Sequence, residues 1–290
     1  MTTPNTTLEF YSSNGWANRV GISIQSASKD QVSLHLPYDE QNLNAPGGVV
    51  HGGVIGTLIH DAGYLLTQLH YLDTPSSLIK ALDIQVNYIT AAFEADLTAT
   101  AKLVRSSRAL AFIDIEVHNK QGGVVARSHA LYRIAGADEE VADLHAQGLY
   151  DIGVGSDLPY GEFAEKINPN VARHASGLTV TGWAPSQVRM KLEDLTENHD
   201  HDGTIAPGLQ MLVLDDAGVF AAFSRVRKGG RPASTIDLKI SFCQTPVNEN
   251  VIGYGHCIKQ QNQVINNQVL LFGETSHNLI AIGTMTFWAP

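Results

Sequence analysis

Cysteine and positive charge are both scarce in this sequence. Only two cysteines occur, Cys243 and Cys257, and their spacing matches no metal-binding motif, which predicts two reduced thiols in a core. The 19 lysines and arginines are outnumbered by 29 aspartates and glutamates, which leaves a formal net charge of -10. General binding of nucleic acid requires a basic footprint, so this charge argues against it. An anionic small molecule held by a local basic patch is still compatible with the charge.

Long apolar runs are missing as well. No run approaches the roughly 20 residues that a helix needs to cross a bilayer. Residues 1–16 are polar and lack the positive stretch and apolar run of a signal peptide. We therefore expect a cytoplasmic protein that does not bind membranes. Hydrophobic residues make up 43% of the chain and charged residues 17%, which fits a globular protein of one large or two smaller domains.

A glycine-rich loop leads into an apolar helix. The loop spans residues 44–53 and contains two pairs of adjacent glycines, with His51 directly before the second pair, Gly52-Gly53. From Val54 to Leu69, apolar residues recur at helical spacing on nearly every side, which predicts a buried helix. The first turn of such a helix presents backbone N–H groups to a ligand oxygen, and glycines let that oxygen approach. A structural turn in which His51 is a satisfied polar residue is the alternative.

Segments typical of strands surround this helix. Alternation of apolar and polar residues, clearest in 84–88 and 112–117, predicts half-buried strands of an antiparallel sheet that the helix covers on one face. The turn at 119–123 predicts a hairpin. Residues 136–175 are polar and irregular, and we interpret them as a linker with room for a short helix. The strand-like segments of the first half are 20–24, 31–36, 81–89, 97–104, 109–117 and 124–134.

The second half repeats the pattern of the first. Residues 206–218 align with 51–63 at an offset of 155, so that Asp216-Ala217-Gly218 matches Asp61-Ala62-Gly63. This indicates an internal duplication, in which each half is one long helix and a sheet, paired by pseudo-two-fold symmetry. The predicted fold class is α+β. We predict a first domain over residues 1–135, a linker over 136–175 and a second domain over 176–290.

These features make the sequence similar to the hotdog-fold thioesterases, and among them to the phenylacetate-pathway (PaaI-like) acyl-CoA thioesterases. The resemblance rests on an asparagine followed by His51-Gly52-Gly53 at the start of the central helix, on Leu110-Ala111-Phe112 and on the run 117–126. The second half matches mainly in its helix and strand pattern. Together the halves look like a double hotdog, two repeats that each wrap an antiparallel sheet around a long helix.

The resemblance implies an active site between two hotdog units. In that family one unit supplies an asparagine, a histidine and the amides at the start of its helix. The other unit supplies a carboxylate nine residues after its own histidine position, often with a hydroxyl nearby. Carried over to this sequence, the family's site residues are Asn44, His51, Gly52, Gly53, Asp215 and Thr235.

The two halves keep complementary parts of this set. Where the second half has Asp215 and Thr235, the first has His60 and Ala81, and where the first has His51, the second has Ala206. The resemblance therefore implies one composite site per chain and one degenerate site. In the family the asparagine usually lies six residues before the histidine, whereas Asn44 lies seven before His51.

The chemistry of these residue types suits the hydrolysis of a thioester. The amides of Gly52 and Gly53, aligned with the helix dipole, are expected to polarise the carbonyl oxygen. Asp215 is expected to act as a general base for water or as a nucleophile, while Thr235 holds the water and His51 orders the loop.

Two further acids compete for the role of Asp215. Adjacent residues point about 100° apart on a helix, so Asp215 and Asp216 cannot face one site equally, and we expect a structural role for Asp216. The sequence leaves open whether Asp215, Asp216 or Asp61 is the acid that acts as base or nucleophile.

Positive charge gathers in residues 224–231 of this acidic protein. Coenzyme A carries several phosphates, which arginine and lysine bind strongly, and a solvated basic loop is the alternative. The candidate coenzyme A contacts are Arg225, Arg227, Lys228 and Arg231. Coenzyme A enters as part of the substrate, and no other cofactor and no metal are expected. The run His199-Asp200-His201-Asp202 suggests a metal site, but we favour a solvated polar turn. By analogy alone, a homodimer of double hotdogs is expected.

Two other functions stay open. A hotdog dehydratase or hydratase is suggested by His199 followed by Pro207-Gly208, but Val213 stands where its glutamate is expected, so the acid–base pair lacks one member. A hotdog protein that binds an acyl-CoA without turning it over is the other, and the retained Asp215 and Thr235 argue against it. The sequence does not identify the acyl chain, nor does it distinguish coenzyme A from acyl carrier protein.

Overall fold

The computed structural model describes residues 15–45, 48–75, 78–134, 158–223, 225–226, 233–245 and 248–290. The chain divides into two compact units. Unit 1 comprises Met1–Glu140 and Thr196–Leu209, and unit 2 comprises Val141–Leu195 and Gln210–Pro290.

Unit 1 is an antiparallel sheet with one long helix. The strands lie in the order β1-β2-β4-β5-β6-β3, and each pair of neighbours is antiparallel. The long helix α2 packs against strands β2 to β6. The elements are α1 (Gly15–Val20), β1 (Ser23–Ala27), β2 (Gln31–Leu36), α2 (Gly52–His70), β3 (Ile79–Tyr88), β4 (Leu97–Ser106), β5 (Leu110–Asn119) and β6 (Val124–Ile134).

Helix α2 is the core of unit 1. Every residue from Gly53 to Leu69 is buried, which confirms the predicted buried helix. The sheet approaches it closely at Gly63, where an added Cβ would lie 2.6 Å from the hydroxyl oxygen of Tyr132. That hydroxyl donates a hydrogen bond to the carbonyl of His60 at 2.7 Å, so strand β6 and helix α2 are joined at this point.

Unit 2 has the same order of strands, β7-β8-β10-β11-β12-β9. Its long helix α4 begins with three residues assigned to unit 1 and continues in unit 2. Where α4 crosses β10, a Cβ on Gly255 would lie 2.0 Å from the Ala217 carbonyl oxygen, so only glycine permits this approach. The elements are α3 (Glu162–His174), β7 (Leu178–Ala184), β8 (Gln187–Leu192), α4 (Pro207–Phe223), β9 (Ser234–Phe242), β10 (Val251–Gln261), β11 (Val264–Gly273) and β12 (Leu279–Trp288).

The structure tests three local predictions: the hairpin at 119–123, the strand over 20–24 and the core position of the cysteines. The hairpin at 119–123 is confirmed, because β5 pairs with β6 and the Asn119 side chain accepts the N–H of Gly123 at 2.8 Å. The strand predicted over 20–24 is wrong at its start, since Val20 ends α1 and the chain turns at Gly21, where φ is +83°. Cys243 is exposed, so the expected core position is wrong for this cysteine.

Helix α3 lies in the segment interpreted as a linker, of which residues 136–157 fall outside the described ranges. None of the helices in those ranges combines the length and the apolar character that crossing a bilayer requires.

Candidate active site

His51 caps the N-terminus of α2. Its backbone is extended, with φ of -61° and ψ of 135°, and its Nδ1 accepts a hydrogen bond from the Gly53 N–H at 2.8 Å. Its carbonyl accepts the Val54 N–H at 3.0 Å. The side chain is buried. An imidazole thus takes the place of the Ser, Thr, Asp or Asn that usually caps a helix, and its ring is held at the helix start.

The amide of Gly52 differs from that of Gly53. The Gly53 N–H is used by His51, whereas in the described part of the chain no group accepts a hydrogen bond from the Gly52 N–H. The Gly52 carbonyl accepts the Tyr88 hydroxyl at 2.9 Å, which ties this residue to strand β3. Gly52 is half-buried while Gly53 is buried. Gly52 is therefore the better placed of the two amides to donate to a ligand oxygen at the positive end of the helix dipole.

The loop before α2 holds two asparagines with different surroundings. Asn44, the predicted site residue, is exposed, and its backbone N–H donates to the Val49 carbonyl at 3.0 Å. Asn42 is 2% exposed, and its side-chain amide donates to the Val20 carbonyl at 2.8 Å. The backbone carbonyl of Asn42 accepts the His51 N–H at 2.8 Å, so Asn42 links the ends of the loop. A site role for Asn44 stays a prediction.

Asp215 and Thr235 come together in unit 2. Asp215 lies in the middle of α4 and is 3% exposed, and Thr235 lies at the start of β9. The Thr235 hydroxyl and Asp215 Oδ1 are 2.8 Å apart in a hydrogen bond in which the carboxylate accepts. The two oxygens of an ionised carboxylate together offer about four lone-pair sites, and this hydrogen bond uses one of them. This pair has the groups that general-base attack by water requires.

A second buried pair lies beside the first. Asp216 Oδ2 is 3.2 Å from Nδ1 of His174, the last residue of α3, and both side chains are buried. His174 was not singled out from the sequence, because one histidine in a polar, irregular stretch carries no motif. The pairing of Asp216 agrees with the structural role expected for it.

Unit 1 has a different set of groups at the equivalent helix position. Asp61 Oδ1 is 2.9 Å from Nδ1 of His60, and both side chains are buried. Burial, and after it the negative charge of Asp61, raises the pKa of Tyr132 well above its usual value. Ala81 provides no hydroxyl on β3, so the Asp–Thr pair of unit 2 has no counterpart here.

The polar run 199–202 is not a solvated turn, which corrects the sequence-based expectation. The His201 ring is buried, and its Nε2 is 2.7 Å from the Tyr64 hydroxyl of α2. Burial raises the pKa of Asp200, whose side chain accepts the Asp202 N–H at 2.9 Å. Asp202 also forms an ion pair with Lys80 at 3.5 Å. These contacts fix the turn within unit 1.

Comparison with known proteins identifies the family. The model of the thioesterase superfamily matches residues 47–126. The Halobacterium salinarum protein named "Putative esterase VNG_1336C" is 33% identical over 106 residues, which are 36% of this chain and 70% of that protein. The chain belongs to the thioesterase superfamily. Human acyl-coenzyme A thioesterase 13 is 25% identical to this superfamily member over 103 residues, 35% of this chain and 71% of that protein.

Solved structures similar to this thioesterase-superfamily chain extend over both units. One from Novosphingobium aromaticivorans has a TM-score of 0.65 at 12% identity and covers 92% of this chain and 98% of its own. One from Alicyclobacillus acidocaldarius, described as having a hot dog fold, has a TM-score of 0.63 at 14% identity and covers 95% of this chain and 98% of its own. At such identity they show the fold alone, and the predicted α+β double hotdog is confirmed.

The family match and the predicted site residues overlap only in part. His51, Gly52 and Gly53 lie within the matched residues of this thioesterase-superfamily protein, whereas Asp215 and Thr235 lie outside them. Of the four candidate coenzyme A contacts, only Arg225 is described. It is exposed, and its Nε donates to the Ser186 hydroxyl at 2.9 Å. The other three candidates, Arg227, Lys228 and Arg231, lie outside the described residues.

Proposed function

We propose that this protein is an acyl-CoA thioesterase of the PaaI-like type, which hydrolyses a thioester to a free acid and coenzyme A. One observation carries the proposal. On the central helix α4 of a thioesterase-superfamily protein, the buried carboxylate of Asp215 accepts a hydrogen bond from the hydroxyl of Thr235 on β9. We further propose a single working site per chain that uses His51 and Gly52 of the first half with this pair of the second. The human relative that is named as an acyl-coenzyme A thioesterase supports the choice of substrate class.

The proposed reaction is addition of water followed by loss of the thiolate. Water adds to the thioester carbonyl carbon, Asp215 takes a proton from the water, and the electron pair of the C=O bond moves to the oxygen. The Gly52 N–H donates to this oxyanion. The C=O bond then re-forms, the C–S bond breaks, and the departing thiolate receives the proton from Asp215. The products are the carboxylic acid and coenzyme A with a free thiol.

Each residue has a distinct part in this reaction. His51 caps α2 through Gly53 and so orders the amides at the helix start. Thr235 donates to one oxygen of Asp215 and so fixes the orientation of the carboxylate that acts on the water. Removing one oxyanion donor typically costs about 10²–10³ in rate, and a general base typically contributes about 10²–10⁴. Arg225, with the basic residues that follow it, is the proposed contact for coenzyme A phosphates.

The test is release of free thiol from short, medium, long and aromatic acyl-CoAs. We expect Asp215→Asn to lower kcat by about 10²–10⁴ relative to wild type, because an amide cannot take the proton from water. Asp61→Asn is the matched control, since it is also an isosteric change of a buried carboxylate on a central helix. It should keep most of the activity.

Two other results would overturn parts of the proposal. A collapse of activity in Asp61→Asn with an active Asp215→Asn would place the working acid in the first half. Binding of acyl-CoA without hydrolysis of any member of the panel would favour the non-catalytic binding function instead.

A further inference from the structure

A two-residue turn in unit 2 holds a serine in an unfavourable backbone conformation. Strand β7 ends at Ala184 and β8 begins at Gln187, so Pro185 and Ser186 form the turn, and Ser186 has a φ of +71°. A proline ring fixes φ at about -65°, and this combination is typical of a type II turn, in which the second residue is normally glycine or asparagine. Strain of this kind persists only where the surroundings enforce it, and it is concentrated at functional sites.

The Ser186 hydroxyl binds an arginine from another element. It accepts a hydrogen bond from Arg225 Nε at 2.9 Å. Ser186 is 7% exposed, and its carbonyl accepts the Cys257 N–H at 2.9 Å, which fixes the turn against β10. A glycine would suit this backbone better, but it would offer no side-chain acceptor to Arg225. The hydrogen bond to Arg225 is therefore a physical reason for a serine at this position.

Arg225 is a cation held in place without a carboxylate. In the part of the chain that the structure describes, its guanidinium bonds to Ser186 and forms no ion pair. Burial raises the pKa of Cys257 and the charge of Arg225 opposes this rise, so the guanidinium lies beside β10 as well. Arg225 is nevertheless exposed. With Nε used by Ser186, the two terminal nitrogens are the donors directed to solvent, and this end of a guanidinium binds phosphate in bidentate fashion.

The place of Arg225 along the chain fits the layout of coenzyme A. Asp215, the proposed base, is followed by eight more residues of α4, which ends at Phe223. At a rise of about 1.5 Å per residue, this stretch is about 12 Å long. Arg225 follows the end of the helix, and its N–H donates to the Ala222 carbonyl at 2.8 Å. In coenzyme A the pantetheine arm separates the thioester from the phosphates, so a phosphate contact has to lie away from the base.

We infer that Ser186 is a positioning residue for coenzyme A: the strained turn fixes Arg225 so that its guanidinium meets a phosphate of the substrate. The inference rests on the part of the proposed function that gives coenzyme A as the carrier. Without the hydroxyl, the Arg225 side chain has to be ordered when the phosphate binds, which typically weakens binding about threefold to tenfold. The chemical step takes place at the other end of the pantetheine arm, so kcat should change little.

Steady-state kinetics with two substrates tests the inference. One is the acyl-CoA of the panel that is hydrolysed fastest, and the other is the same acyl group on pantetheine, which has no phosphate. We expect Ser186→Gly to raise KM for the acyl-CoA about threefold to tenfold, with kcat within about twofold, and to leave KM for the acyl-pantetheine unchanged. Arg225→Gln should raise the same KM at least as much, because the charged contact is lost altogether. Glycine is suited to a positive φ, so Ser186→Gly should fold.

Two variants control for backbone strain and for charge. Asn262→Gly replaces a residue with a φ of +55° in the turn between β10 and β11, and it leaves Ser186 and Arg225 in place. Arg189→Gln removes one positive charge from β8, where it lies beside Glu274. Both variants should keep the wild-type KM for both substrates.

Labelling of Cys257 gives a second readout that needs no turnover. Iodoacetamide reacts with the thiolate, so the rate of labelling at pH 10 depends on the charge of Arg225 beside this thiol. Coenzyme A whose own thiol is blocked should slow the labelling in wild type, because its phosphate pairs with Arg225, whereas blocked pantetheine should not. In Ser186→Gly, about threefold to tenfold more blocked coenzyme A should be needed for the same protection.

The outcomes separate this inference from the proposed function. If no acyl-CoA is hydrolysed but blocked coenzyme A protects Cys257 as expected in wild type and in Ser186→Gly, the proposed function fails and the inference stands. If acyl-CoAs are hydrolysed and Ser186→Gly keeps the wild-type KM, only the inference fails. An equal rise of KM for acyl-CoA and acyl-pantetheine would give Ser186 a purely structural role and would also overturn the inference. Absence of both hydrolysis and protection would overturn both.

Discussion

Removing the Thr235 hydroxyl measures how much the position of Asp215 matters. Thr235→Val replaces Oγ1 by a methyl group of similar size and removes the 2.8 Å hydrogen bond to Asp215 Oδ1. A hydrogen bond to a charged group contributes about 1.5–3 kcal/mol, and Asp215 is 3% exposed, so bulk water replaces it poorly. If that loss falls on the transition state, kcat/KM should fall about 10-fold to 150-fold, since each 1.36 kcal/mol is tenfold in rate.

Steady-state thiol release by wild type, Thr235→Val and Thr235→Ser is the assay. Thr235→Ser keeps a hydroxyl on the same carbon and should stay within about threefold of wild type. The bond is already present in the free protein, so Thr235→Val should also lower the urea midpoint, although valine suits a strand position at least as well as threonine. Two results would refute the reasoning: a Thr235→Val enzyme as fast as wild type, or a Thr235→Ser enzyme as slow as Thr235→Val.

Two further predictions concern packing and thiol chemistry. Gly63→Ala should lower the free energy of unfolding by a net of about 1–3 kcal/mol in urea titrations, because the new Cβ meets Tyr132 and this outweighs the gain of about 1 kcal/mol in helix propensity. Gly161→Ala, where nothing lies within 4 Å, is the control, and equal midpoints would contradict the prediction. Burial raises the pKa of Cys257 to about 11, against the smaller opposing effect of Arg225. The thiolate is the reactive form, so iodoacetamide at pH 8 should label exposed Cys243 first and reach Cys257 only as the pH rises towards 11. Equal labelling at pH 8, measured by peptide mass spectrometry, would argue against this.

The fold could be predicted where its pattern is local. Helix α2 is apolar on nearly every side, and such a helix has no stable place except a core, so Gly53 to Leu69 are buried as expected. The hairpin between β5 and β6 is set by its own turn residues. The start of β1 was missed because α1 ends in Val20, a strand-favouring residue whose helical state depends on packing: its side chain is buried.

The site could be predicted only where the residues form a motif. His51-Gly52-Gly53 is contiguous, and the order of these residues on the helix start follows from the sequence. The difference between the Gly52 and Gly53 amides depends on the rotamer of His51, which sequence does not encode. His174 pairs with Asp216, which lies 42 residues further along the chain. The residues around His174 and around Asp216 form no motif that predicts this contact.

The number of residues between two positions predicts their relative placement in a helix but not in a loop. Asn42 and Asn198, in the loops before the two long helices, illustrate why. The carbonyls of Asn42 and Asn198 accept the N–H of His51 and Ala206, so these loops are equivalent in their hydrogen bonding. Asn42 lies nine residues before His51, whereas Asn198 lies eight before Ala206, so the first loop contains one extra residue. A count along the chain cannot show where in the loop that residue lies. In α4 the backbone hydrogen bonds forbid such a slip, so the assignment of Asp215 and Asp216 to different partners follows directly from the 100° between neighbours.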